Sequence, residues 1–105
     1  MHLLQPVEDF FKAIQDDPRI NTTHISLYMG LLKLWGEQGF KNPIRFFSSQ
    51  VMPLCKISGI ATYHKSIREL HQYGYIKYVP SYYRYIGSSV YLTFKEETIQ
   101  NCSNY

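Results

Sequence analysis

The chain has 105 residues, which fits one domain with one hydrophobic core. Apolar residues make up 45% and charged residues 18%, a balance that argues against intrinsic disorder. The net charge of +3 decides little by itself; two cysteines, Cys55 and Cys102, are too few for a disulfide scaffold, and no apolar run approaches the ~20 residues of a membrane span. The opening Met1-His-Leu-Leu-Gln-Pro lacks a charged n-region and a long apolar stretch, so no signal peptide is read and a reducing cytoplasm is the expected compartment. Cys55 is expected to be a small buried apolar residue.

Residues 6 to 16 predict a short accessory helix. Pro6 suits its first turn, Val7, Phe10, Phe11 and Ile14 form one apolar stripe, and Asp17-Pro18 stops it. Asn21-Thr22-Thr23 supplies caps for a second helix over about residues 24 to 38. Its stripe is Ile25, Tyr28, Met29, Leu32 and Trp35, widened by Leu27, Leu31 and Leu34, so it is expected to be covered on two sides. Gly36 and Gly39 mark its end. The segment 42 to 47, with Ile44, Phe46 and Phe47 after Asn42-Pro43, reads as a short strand. Ser48 or Ser49 then caps a helix of about 49 to 57, in which Pro53 is tolerable only in the first turn or at a kink.

The clearest helix covers about residues 59 to 73. Ser58 is its expected N-cap and Gly74 its stop. Ile60, Tyr63, Ile67, Leu70 and Gly74 recur at steps of three and four and should face inward, leaving Ala61, Thr62, Lys65, Arg68, Glu69 and Gln72 outward. Residues 75 to 79 and 89 to 94 read as two strands. Pro80-Ser81 and Gly87-Ser88 bound a turn of about 80 to 88 that carries Tyr82, Tyr83, Arg84 and Tyr85. Residues 95 to 105 form a polar tail.

Charge is unevenly placed along this order. Residues 41 to 95 hold eight bases against one acid, Glu69, a net of +7, whereas residues 1 to 40 carry a net of −2. A localised basic field attracts polyanions through steering and counterion release.

The order helix, short strand, helix, helix, strand, basic turn, strand over residues 24 to 94 resembles a winged-helix (winged helix-turn-helix) DNA-binding domain. Its most specific piece is Thr62-x-x-x-x-Ile67-x-x-Leu70-x-x-x-Gly74-Tyr75-Ile76. This is similar to the end of the recognition helix in small bacterial transcription regulators and in replication and excision accessory proteins of mobile elements. The resemblance implies an α+β fold: a three-helix core, a small antiparallel sheet with a wing, and here an extra N-terminal helix. It also implies a cytoplasmic binder of double-stranded DNA with no catalytic residue and no cofactor. No ligand or sensor domain accompanies it in this chain.

The residues support that reading independently. A helix of about 14 residues is ~20 Å long, and its diameter fits the major groove. Arg68 can pair with guanine, Lys65 can reach a base or phosphate, and Thr62 or Ala61 can meet a thymine methyl group. Gln72 lies on the same outward face. The Ser58–Gly59 end offers N–H groups to a phosphate. Lys77 is a phosphate candidate, Arg84 a minor-groove candidate, and Tyr83 and Tyr85 candidates for phosphate contacts. The bland alternative for each is a solvated surface, or tyrosines packed on the sheet.

Other chemistry lacks its parts. His64 and His71 have no third ligand at zinc spacing, so no metal site is expected. The basic segment has no pair of acids, and there is neither a Gly-rich phosphate loop nor a nucleophile arrangement, so the residues argue against an enzyme. A second class remains open: a winged helix used as a protein-interaction module, which an exposed patch of Phe10, Phe11, Tyr28 or Trp35 would support. A homodimer through the N-terminal helices is compatible with either class.

Overall fold

A computed structural model of the protein describes residues 4–81 and 87–92. The turn residues Tyr82, Tyr83, Arg84 and Tyr85, the expected strand end at Thr93 and Phe94, and the tail with Cys102 lie outside the described residues. The architecture is α+β. Within the described residues four helices, α1 (Leu4–Ile14), α2 (Thr22–Glu37), α3 (Ser48–Cys55) and α4 (Ile60–Gln72), accompany three strands, β1 (Ile44–Phe46), β2 (Ile76–Val79) and β3 (Ser88–Leu92). The strands form one antiparallel sheet in the order β1-β3-β2.

Helix α2 is the hub. Leu27 and Leu31 are fully buried, and Tyr28, Leu32, Leu34 and Trp35 nearly so, which gives this helix an apolar surface on most of its circumference. It uses that surface against α3, α4 and β1, and against α1 through Phe10, whose ring stacks on Tyr28 at 4.0 Å. Coverage on two sides is therefore correct for α2, although Ile25 and Met29 of the expected stripe are only half-buried. Where α2 crosses α3, Gly30 faces Cys55, and a Cβ at Gly30 would overlap the Cys55 sulfur. Burial also pushes the Cys55 thiol up to about 11.

Asn21 caps α2 by accepting from the Thr23 and His24 amides at 3.0 and 3.1 Å, while its own amide donates to His24 Nδ1 at 3.0 Å. This is a capping box with histidine where Glu or Gln is usual. The helix runs through Gly36 and ends before Gln38, so Gly36 is an interior residue and only Gly39, with φ +88°, belongs to the turn.

Helix α1 is fastened at two points. Phe10 packs on Tyr28 and edge-on to Tyr75, with its ring 5.6 Å from that of Tyr75. Past its end, Asp17 grips Arg19 through a fork of 2.8 and 2.9 Å and accepts from the Tyr75 hydroxyl at 2.7 Å, and Arg19 lies 4.1 Å over the Tyr73 ring. The expected α1 stripe needs one correction: Phe11 is exposed, because it lies off the side of the helix on which Val7, Phe10 and Ile14 meet the core.

The caps of α3 and α4 also differ from expectation. Phe47 rather than a serine precedes α3, and its amide donates to the Gln50 side chain at 2.8 Å. Pro53 sits inside α3, two residues before the helix ends in a left-handed turn at Lys56. Gly59 rather than Ser58 is the N-cap of α4, with no side-chain cap bond. Ile60, expected inward, is 51% exposed because the first turn of α4 projects beyond the core. Tyr63, Ile67 and Leu70 do anchor the helix, whereas Gly74, also expected inward, is exposed, because it lies past the end of α4 in a left-handed turn with φ +90°.

Inward-facing Ile44, Phe46, Ile76, Val90 and Leu92 bring the sheet onto the core. Two side-chain amides act as backbone at its margins. Asn42 exchanges bonds with Leu92 N–H and C=O at 3.1 and 3.3 Å, two residues beyond the Ile44↔Val90 pair, and so extends the β1–β3 pairing through its side chain. Gln38 does the same with Arg45, at 3.1 and 2.7 Å. On the other margin, the Tyr78 amide donates to His71 Nδ1 at 3.0 Å.

Two predictions follow from these contacts. Gly30→Ala should destabilise the protein by ~1–3 kcal/mol through overpacking against Cys55. In a Cys55→Ala background the same change should become neutral or stabilising, since alanine is the better helix former by ~1 kcal/mol. Urea unfolding of the four variants measures this, and an equal cost in both backgrounds contradicts the close contact. The second concerns Asp17, which the Arg19 and Tyr75 side-chain bonds hold well below the usual carboxylate range. A carboxyl depressed in the folded state contributes stability above its unfolded value of ~3.9 and loses it as pH falls toward the folded value. Asp17→Asn should therefore lower Tm at about pH 7, and the gap should narrow at about pH 2.5. A gap of the same size at both pH values contradicts the clasp.

Candidate nucleic-acid interface

Because Tyr63, Ser66, Ile67 and Leu70 turn one side of α4 into the core, the opposite side is turned out by the helical period. Ala61, His64, Lys65, Arg68, Glu69 and Gln72 line an open depression along that side. Four of the expected contact residues, Ala61, Lys65, Arg68 and Gln72, thus share one surface running ~16 Å along the axis. Thr62 is exposed on its flank, and Ser58 is exposed ahead of the helix. With no side chain capping the Gly59 end, the first amides of α4 remain available to an anion.

Lys77 lies elsewhere. It projects from the outer face of the sheet with Tyr91 as its cross-strand neighbour, its ammonium 5.5 Å from the centre of that ring. It is exposed but does not line the α4 depression. Tyr83, Arg84 and Tyr85, the expected contacts of the turn, lie outside the described residues.

The electrostatics divide the molecule. In the N-terminal part, Arg19 is paired with Asp17 and Lys33 with Glu37. Lys41, Arg45, Lys56, Lys65, Arg68 and Lys77 are all exposed, and among the described residues none of them forms an ion pair. Acidic residues thus neutralise bases where the chain is acidic, and the positive field of residues 41 to 77 is left to solvent.

Glu69 stands at the edge of the outward side of α4 rather than fully in solvent. Its side chain is 25% exposed, and its Oε1 lies 2.8 Å from Nε2 of His24, which is 1% exposed. Because His24 Nδ1 accepts from the Asn21 amide, the ring hydrogen belongs on Nε2 and is donated to Glu69. Sequence reasoning missed this pair. Its one local signal is Asn21-x-x-His24, the spacing of a capping box, on a register that continues into Leu27, Tyr28 and Leu31.

The other two described histidines have different uses. His64 borders the depression with its ring 5.1 Å from that of Tyr63, and His71 holds the margin of β2. Among the described residues no three His, Cys, Asp or Glu side chains gather as a metal-holding group, and no described helix is long and apolar enough to cross a membrane. Comparison with known proteins returned no match to this chain: no family model, no curated protein and no solved structure is significantly similar to it.

Proposed function

We propose that the protein is a winged-helix binder of duplex DNA, acting in transcriptional control or as a replication or excision accessory factor. The observation that carries this reading is the set of exposed bases from Lys41 to Lys77 that have no acidic partner among the described residues, with Lys65 and Arg68 on the solvent face of a core-anchored α4. The element order α2, β1, α3, α4, β2, β3 is that of a helix-turn-helix followed by a hairpin, which supports the same reading. In this role α4 enters the major groove, its uncapped N-terminus meets a phosphate, and Lys77 and the 80 to 88 turn hold the flanking backbone.

The patch that would favour a protein-interaction module is largely absent from the described surface. Phe10, Tyr28 and Trp35 are buried, and Phe11 alone of the proposed patch is exposed.

Titrating the protein into random-sequence duplex by fluorescence anisotropy, at low and moderate salt, tests the proposal. Affinity should fall steeply with salt as phosphate contacts release counterions. Arg68→Ala should reduce site preference by ~1–3 kcal/mol, whereas Lys77→Ala should weaken all duplexes alike and lower the salt slope by about one. Absence of binding at low salt overturns the DNA reading. An equal loss on random and preferred duplex with Arg68→Ala overturns direct readout by that residue.

A further inference from the structure

We infer that Glu69 reads a cytosine and that His24 aims it, an assignment that rests on α4 being the helix that enters the major groove. Glu69 is the single acid between residues 41 and 95, yet it stands in the depression that holds Lys65 and Arg68. A carboxylate there opposes phosphate and weakens binding to DNA at large. It becomes favourable only where it meets a hydrogen-bond donor; the major groove offers the cytosine N4 and adenine N6 amines, and because the adenine amine stands beside the N7 acceptor, which repels a carboxylate, cytosine is the base that suits Glu69.

The surroundings of Glu69 hold it for that use. His24 is 1% exposed, and both of its ring nitrogens are committed, Nδ1 to the Asn21 amide at 3.0 Å and Nε2 to Glu69 Oε1 at 2.8 Å. The imidazole cannot turn without giving up a backbone amide at the N-cap of α2. Oε1 is therefore fixed from the core side, and Oε2 accepts no hydrogen bond from the described residues. That leaves Oε2 to the groove, beside an Arg68 suited to guanine O6 and N7. His24 is a positioning residue, since it is buried and reaches a base only through Glu69. A G·C-containing site satisfies Arg68 and Glu69 together, while a site without the amine leaves a partly buried carboxylate facing the duplex.

Selection of preferred duplexes from a random pool by the wild type and by Glu69→Gln tests this, followed by anisotropy on the selected duplexes at fixed salt. Glutamine keeps an oxygen that accepts from His24 but removes the charge, and thermal unfolding checks that the variant is folded. The wild type should select cytosine at one position beside the guanine read by Arg68. Glu69→Gln should lose that preference by roughly tenfold, keep the others, and bind random duplex more tightly. An unchanged preference profile overturns the role of Glu69 and leaves DNA binding standing. A uniform loss at every position assigns the His24–Glu69 bond to holding α2 on α4 and also overturns the readout. A wild type that binds no duplex at low salt removes the DNA reading itself, and this assignment with it.

Discussion

Helix α2 must satisfy α1, α3, α4 and β1 at once, and the demand is tightest at Gly30, where the α3 residue Cys55 leaves no room for a side chain. Close-packed interiors transmit such constraints, because a neighbour displaced by even one methyl group disturbs everything it touches. The position of α3 follows from that contact. α4 is then held through Tyr63, Ile67 and Leu70 on its buried side and through the His24–Glu69 bond at the edge of its exposed side. The candidate interface is thus an outcome of how α2 is packed. The side chains that face solvent on α4 are oriented by a core that lies entirely behind them.

Much of this arrangement is legible in the sequence, and the reason is periodicity. The buried stripe of α4 and its glycine stop repeat a pattern that only one backbone conformation satisfies. The order of elements follows from the same signal. Helix starts are less legible, as α3 and α4 show: serines stand beside both, yet Phe47 and Gly59 occupy the cap positions. The choice among neighbouring residues is settled by where the incoming chain leaves the sheet or the preceding turn, which local composition does not encode. Phe11 and Ile60 illustrate a related limit. Each lies near an apolar stripe, but a stripe predicts burial only as far as a partner surface extends.

The candidate site divides in the same way. Lys65, Arg68 and Gln72 are legible because they are what the buried stripe leaves over. The His24–Glu69 bond is not, since it joins residues 45 positions apart and depends on how α2 and α4 cross. Nor is the pairing of Arg19 with Asp17 and of Lys33 with Glu37 visible as a pattern of charge along the chain. Local pairing in the first 40 residues sharpens the contrast with the bases that follow, which form no ion pair among the described residues, a contrast that net charge conceals.

The side-chain amides at the sheet margins have a consequence of their own. An exposed strand edge invites another strand to dock by backbone hydrogen bonding, the route to β-augmentation and to edge-to-edge aggregation. In this three-stranded sheet, Gln38 occupies the outward N–H and C=O of Arg45, and His71 occupies the outward N–H of Tyr78. A guest strand would have to displace groups that the protein already supplies from α4 and from the turn after α2. Docking of a guest strand, which reads only the main chain that every polypeptide shares, is thereby opposed at both margins of the sheet.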